Sequence, residues 1–363
     1  MRLGVQAALV NGELLSGDVE VEDDRIAAVG LASPDGRGIA VPGFVDLQVN
    51  GFGGVDFLEA DAAGYARAGD ALLETGVTGY LPTLITSSEA HLLAALHEVP
   101  LEAAGPRILG VHVEGPFLSP ECPGTHPVEF LRAPDPALLV RLLEAGPVRL
   151  VTIAPELPGA FELIELLHER GVVVSFGHTD ATGEEAHAAF DRGVRTVTHL
   201  FNAMRPFRHR DPGIAAVALT RPDVVVQLIV DGIHLAPDTV RLVWEAAGGR
   251  VALVTDAVAP AGAGAGEFML GDVSLVVRDG AVRRDDGVLA GSVLTMIEAV
   301  RNLHELGVPL EQALDAATIV PASVLGLSDS GRIEVGRRAD LLVVDGDLEI
   351  ERVLVGGETL VAA

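Results

Sequence analysis

Eight times between residues 43 and 255 a short apolar, β-branched run gives way to a longer stretch with helical spacing. The runs fall at 43–49, 78–83, 107–113, 149–153, 172–177, 194–198, 224–230 and 251–255. Between them lie stretches such as AAGYARAGDALLETG, EAHLLAALHEV, ALLVRLLEAG, AFELIELLHERG, EEAHAAFDRG and PDTVRLVWEAAGG, several of which close on a helix-capping glycine. Strands that alternate with helices predict a parallel sheet, because each helix carries the chain back over the sheet face. Eight such units suit a closed α/β fold, a TIM-like (β/α)8 barrel of about 250 residues, better than an open doubly wound sheet.

The two ends read differently. Residues 1–41 (AALVNGELLSG, DVEVEDDRIAAVG, GIAVPG) and 331–363 (GRIEVGRRADLLVVDGDLEIERVLVGGETLV) are short strand patterns joined by Gly and Asp turns, with Asn11-Gly12 a hairpin signal. They are expected to pair into one small β-sandwich domain, leaving 42–330 as the barrel. At 363 residues and 49% hydrophobic content the chain can fill both cores. After the eighth run, EFMLGDVSLVVRDGAVRRDDG looks like an inserted hairpin ahead of the helix SVLTMIEAVRNLHELG.

A barrel of this kind carries its chemistry at the C-terminal ends of its strands. Glu114 ends the third run in VHVEGPF, His178 the fifth in VVVSFGHTD, His199 the sixth in VRTVTHLFNAM and Asp256 the eighth in VALVTDA. One histidine at a strand end is more often structural than a ligand, and one Asp before a loop is more often a cap. Their joint placement on one face points instead to a metal site. Two histidines and a carboxylate leave an open position on a zinc-like ion, the pattern of a catalytic site. Such an ion lowers the pKa of its water and polarises a carbonyl, and Asp256 could take the water's proton and pass it to a leaving nitrogen.

Composition narrows the chemistry. All 25 basic residues are arginine, so a Schiff-base lysine, a Walker-type lysine and a carboxylated lysine bridging two metals are excluded. A single cysteine, Cys122, excludes an internal disulfide or a Cys-rich zinc site and reads as an incidental thiol. The formal charge of −27 with no basic run argues against nucleic acid or an anionic membrane as partner. No apolar stretch reaches about 18 residues and the N-terminal apolar segment is too short for a signal peptide, so a cytoplasmic protein is expected.

Taken with His126 in GTHP, Asn202 in THLFNAM, His234 in DGIHL, PGFVDLQVNG ahead and LAGSVLTM behind, these motifs resemble the N-acetylglucosamine-6-phosphate deacetylases of the amidohydrolase superfamily over almost the whole chain. The resemblance implies hydrolysis of the acetamide of N-acetylglucosamine 6-phosphate to glucosamine 6-phosphate and acetate, in amino-sugar catabolism and recycling. It implies Glu114, His178 and His199 as metal ligands and Asp256 as general base and then acid. It implies His126 as the donor to the amide carbonyl. Asn202, the Ala203 backbone and His234 would hold the sugar phosphate. Arg210 would reach that phosphate across a subunit interface, with Arg205 and Arg208 as neighbouring alternatives, in a homodimer or higher homo-oligomer.

Many superfamily barrels carry His-x-His after the first strand and a carboxylated lysine, whereas this chain has Gln48-Val49-Asn50 and no lysine. One divalent ion per subunit is therefore expected. Zinc leads, and iron, manganese and cobalt also suit the donors. The Gln48 and Asn50 amides either hydrogen-bond the metal ligands or substrate, or pack behind them. Alternatives are an amide hydrolase acting on N-acetylgalactosamine 6-phosphate or an N-acyl amino acid, and a metal-free binding protein on the same fold.

Overall fold

The computed structural model describes residues 1–102, 104–264 and 266–362. All eight expected runs are strands: Phe44–Val49, Val77–Ile85, Arg107–Ile108 with Val111–Glu114 as one interrupted third strand, Val148–Ile153, Val173–Phe176, Thr196–Val197, Val225–Leu228 and Val251–Leu253. Each pairs in parallel with the next. The second strand is buried at all nine positions, as a strand covered on both faces must be.

The ring closes at its C-terminal end. There Val49 bridges Ala257, the Asp256 amide donates to the Gln48 carbonyl at 3.0 Å, and the Asn50 amide donates to the Ala257 carbonyl at 2.7 Å. Lower down the first and last strands do not meet: the Val45 and Leu253 amides donate instead to the carbonyls of Ala317 (2.9 Å) and Ala316 (2.7 Å). The segment after helix Leu310–Asp315 is thus wedged between them, and the direct seam lies beside the site residues.

Outer helices start at residues suited to capping. Asp61 accepts from the Gly64 amide, and Thr182 and Thr295 form capping boxes with Glu185 and Glu298. Gly171 and Gly193 follow the helices Ala160–Glu169 and Gly183–Phe190 with φ of 68° and 98°, the left-handed turn that ends them. Helix Gly213–Thr220 has no amphipathic signature to read, since Gly213, Ile214, Ala215, Val217, Ala218 and Leu219 are all buried.

The chain ends do form one small domain. Its six-stranded sheet runs Glu13–Ser16, Ala7–Val10, Ile39–Pro42, Leu341–Val344, Ile350–Val355, Glu358–Ala362, and the antiparallel pairing of the third with the fourth joins N-terminal to C-terminal chain. Asn11 and Gly12 take positive φ (51° and 78°), as a tight hairpin demands. Strand alternation divides the sheet's faces. Ala40, Leu341 and Val343 pack with Val19, Val21 and Ile26 of the hairpin Asp18–Glu22/Arg25–Leu31, giving a sandwich. Val41, Leu342 and Val344 join the barrel's own core.

The insert after the eighth strand is a three-stranded antiparallel meander, Phe268–Leu270, Val273–Arg278 and Ala281–Arg283, rather than a hairpin. Two turns cut it, one at Gly271 (φ 52°) and one at Asp279-Gly280 (φ 52° and 77°). Among the described residues no helix is long and apolar enough to cross a membrane.

Candidate metal centre and active site

Glu114 is the last residue of the third strand, and His178, His199 and Asp256 each lie just past the end of theirs. All four are buried. The last three have positive φ, 48°, 28° and 49°. Left-handed backbone costs a non-glycine residue about 1–2 kcal/mol, so the fold holds these three positions against a local preference.

The side chains converge. Glu114 Oε1 lies 3.0 Å from His199 Nε2 and 3.2 Å from His178 Nε2, and the two ring nitrogens are 3.2 Å apart. A triangle of that size suits three ligands about 2.1 Å from one small cation. His178 Nδ1 donates to the Cys122 carbonyl at 3.1 Å, which leaves the Nε2 lone pair facing the triangle. Burial holds the His178 pKa down, at about 4, so the ring is neutral as a ligand must be. Glu114 is driven upward by burial, but the rings of His126, His178 and His199 gathered around its carboxylate outweigh that and hold it well below the usual carboxylate range. His199 moves the other way: burial opposes its charge, and the Glu114 carboxylate overrides burial and raises it. A buried anion that favours a cation at this position is what a metal ion requires. The donor set therefore fits a divalent metal.

His126 stands against the same carboxylate, Nε2 to Glu114 Oε2 at 3.5 Å. The Thr86 amide donates to its Nδ1 at 3.2 Å, so the hydrogen of the neutral ring sits on Nε2 and points into the site. Asp256 receives the Asn50 side-chain amide at 2.7 Å on Oδ1. Burial pushes the Asp256 pKa up to about 6, the His199 charge opposing and the Glu114 charge adding. Behind it Asp46 accepts from the Thr255 hydroxyl (2.6 Å) and amide (3.3 Å) and from the Gln48 amide (3.2 Å), tying the first strand to the last. The Gln48 side-chain amide is fully buried, and neither of its polar atoms has a partner among the described residues.

Glu114, His126, His178, His199, Asn50 and Asp256 line a cavity of about 400 Å³ together with Asn202, Ala203 and His234. Asn202 is held by its own loop, its side-chain amide donating to the His199 carbonyl at 3.2 Å; Ala203 has φ 50°. His234 is fixed by Asp231, Nδ1 to Oδ2 2.7 Å. Arg210 is exposed and does not line the cavity of its own chain. Arg205 is committed to Asp180 (3.0 Å) and Asp211 (2.9 Å), and Arg208 is exposed. The Cys122 thiol is pushed up to about 11 by burial and by the carboxylates of Asp180 and Glu156, which favours the thiol over the thiolate at neutral pH.

Sequence reasoning missed two groups. One is the insert's contribution to the cavity wall, Leu270, Arg283, Val288 and Leu289. The other is a buried polar floor. His112 Nε2 meets the Thr152 hydroxyl at 2.7 Å, which meets Thr198 at 2.7 Å, which meets Ser175 at 2.6 Å. Ser175 and Thr198, three and one places before His178 and His199, were the available signal for part of the floor.

The chain matches the amidohydrolase family across residues 39–360. It is 39% identical to the N-acetylglucosamine-6-phosphate deacetylase of Mus musculus, over 96% of this chain and 89% of that protein. To that of Bacillus subtilis it is 33% identical, over 94% and 91%. Among solved structures, a Mycobacterium smegmatis N-acetyl-D-glucosamine-6-phosphate deacetylase mutant in complex with N-acetyl-D-glucosamine-6-phosphate superposes with a TM-score of 0.94 at 37% identity, covering 99% of this chain and 98% of the other. The Thermotoga maritima deacetylase gives 0.93 at 33%, covering all of both chains.

Proposed function

The chain belongs to the N-acetylglucosamine-6-phosphate deacetylases of the amidohydrolase family, and from that premise we propose that its cavity hydrolyses the acetamide of N-acetylglucosamine 6-phosphate to glucosamine 6-phosphate and acetate. The observation that carries the chemistry is the buried triangle of Glu114, His178 and His199 with Asp256 and His126 on its rim. A divalent ion held by those three residues supplies Lewis acidity, lowering the pKa of a water molecule and drawing charge from the amide carbonyl.

Asp256, held by Asn50 through Oδ1, keeps Oδ2 for the reaction. It takes a proton from the attacking water, holds it while the tetrahedral carbon forms, and returns it to the nitrogen as the C–N bond breaks. The His126 Nε2–H donates to the carbonyl oxygen as negative charge grows there, with Thr86 keeping that hydrogen on Nε2. Asn202, the Ala203 backbone and His234 are assigned to the sugar phosphate, and Arg210 to the same phosphate from a neighbouring subunit of a homodimer or larger assembly. Gln48 and Asn50 lie at the end of the first strand, at the positions where many superfamily barrels carry the His-x-His of a second ion. Amides are poor ligands for such an ion, which supports one metal per subunit, assigned as zinc. We assign residues 1–41 with 331–363 to the sandwich and 42–330 to the barrel, and the enzyme to amino-sugar catabolism in the cytoplasm.

The test measures metal content and acetate release on one sample. We expect about one equivalent of zinc per subunit and turnover of N-acetylglucosamine 6-phosphate well above that of N-acetylgalactosamine 6-phosphate, unphosphorylated N-acetylglucosamine and N-acyl amino acids. Faster cleavage of an N-acyl amino acid, or no acetate release from metal-loaded protein, would overturn the assignment.

A further inference from the structure

Of the described residues lining the cavity, Arg283 is the only arginine. It ends the strand Ala281–Arg283 of the insert, an element the sequence reading connected with no chemistry. Among the described residues its side chain makes one hydrogen bond, from Nη1 to the Gly287 carbonyl at 2.8 Å, and no carboxylate lies within ion-pair distance. The next residue is different: Arg284 is paired with Asp286 at 2.8 Å. The strand also begins beside the loop that carries His234, since a Cβ added at Gly280 would lie 3.7 Å from Ile233 Cδ1.

Charge makes this position matter. The divalent ion would offset the two carboxylates at the cavity, Glu114 and Asp256, but the whole chain still carries −27, so a phosphate dianion approaching through that field gains from a further cation on the cavity wall. Arg205 is consumed by Asp180 and Asp211, and Arg210 lies outside the cavity of its own chain. A guanidinium presents parallel N–H donors that match two phosphate oxygens, and its charge persists at any physiological pH. We propose that Arg283 is a specificity-determining residue that binds the substrate's phosphate from within the same subunit. The insert then selects phosphorylated sugar as well as forming part of the cavity wall. This rests on the phosphosugar reading above.

The experiment compares metal-loaded wild type, Arg283→Ala and Arg283→Lys in two measurements. Calorimetric titration reads binding of glucosamine 6-phosphate and of glucosamine. Initial rates read kcat/KM for N-acetylglucosamine 6-phosphate and N-acetylglucosamine. Arg283→Ala is expected to weaken glucosamine 6-phosphate binding about tenfold to a hundredfold, the worth of one charge-assisted contact, and to lower the phosphorylated-to-unphosphorylated ratio of kcat/KM by a similar factor. Arg283→Lys recovers part of both. Equal losses on both sugars, or no weakening of glucosamine 6-phosphate, overturn the proposal. If wild type binds glucosamine 6-phosphate through Arg283 yet cleaves no phosphosugar, the phosphate site stands and the reaction assignment falls.

Discussion

Asp256 has to exist as a carboxylate to accept a proton and as an acid to return it, and its surroundings suit both. Burial raises it from an ordinary 3.8 to about 6, so the protonated form lies within reach at neutral pH. Its base role requires the deprotonated form, so kcat/KM should rise with pH through this pKa. A bound dication favours the carboxylate and pulls the value down, placing the acid limb at or below pH 6. A pH–rate profile with its acid limb well above 6 would contradict the assignment. Asp256→Asn should retain zinc, measured by elemental analysis, and lose about a thousandfold or more in kcat. A variant that keeps a tenth of wild-type turnover would remove Asp256 from the base role. The strand-end candidates were legible because four unrelated runs end on ligand-type residues. The tautomer of His126 was not, because it depends on the Thr86 amide forty positions away.

The loop between Glu114 and His126 and the seam between the first and last strands hold these residues in place. Gly124 has φ 56°, and a Cβ there would meet His178 Cε1 at 3.0 Å and Nδ1 at 3.4 Å. Gly124→Ala should displace the His178 ring and lower zinc affinity about tenfold to a hundredfold, read by competition with a chromogenic chelator. Unchanged affinity would mean that the loop gives way instead. At the seam, burial pushes Asp46 up to about 7, with the Thr255 and Gln48 hydrogen bonds pulling it back. Between its ordinary 3.8 and about 7 the folded state keeps a proton that the unfolded chain has released. Its contribution to stability is therefore full below pH 3.8 and is lost as pH rises through 7. Asp46→Asn does not titrate, so its stability relative to wild type should climb between pH 5 and pH 8, by about 2–3 kcal/mol at most, in denaturant titrations. A flat difference would show that Asp46 is ionised in the fold. The insert illustrates what element-level reading misses: both of its turns were visible as Gly-Asp and Asp-Gly pairs, yet its approach to the cavity is a tertiary fact.

At the scale of the whole molecule, one ion would connect the third, fifth and sixth strands of the barrel. Chelation should abolish activity and lower the unfolding midpoint by about 5 °C or more, both reversed by zinc, because a ligand that binds only the folded state stabilises it. An unchanged midpoint after verified metal removal would show that the cluster adds nothing to the fold. Local pattern by itself determined the barrel, the sandwich of the two chain ends and the strand-end candidates. Apolar periodicity, turn residues and ligand types are all short-range properties, and eight repetitions leave few alternatives. Tertiary structure alone decided the left-handed backbone at His178, His199 and Asp256, the polar floor from His112 to Ser175, the burial that moves Asp46 and Asp256, and the position of Arg283 on the cavity wall. Each depends on groups far apart in the chain meeting where water is excluded, and no local pattern encodes that distance or that loss of solvent.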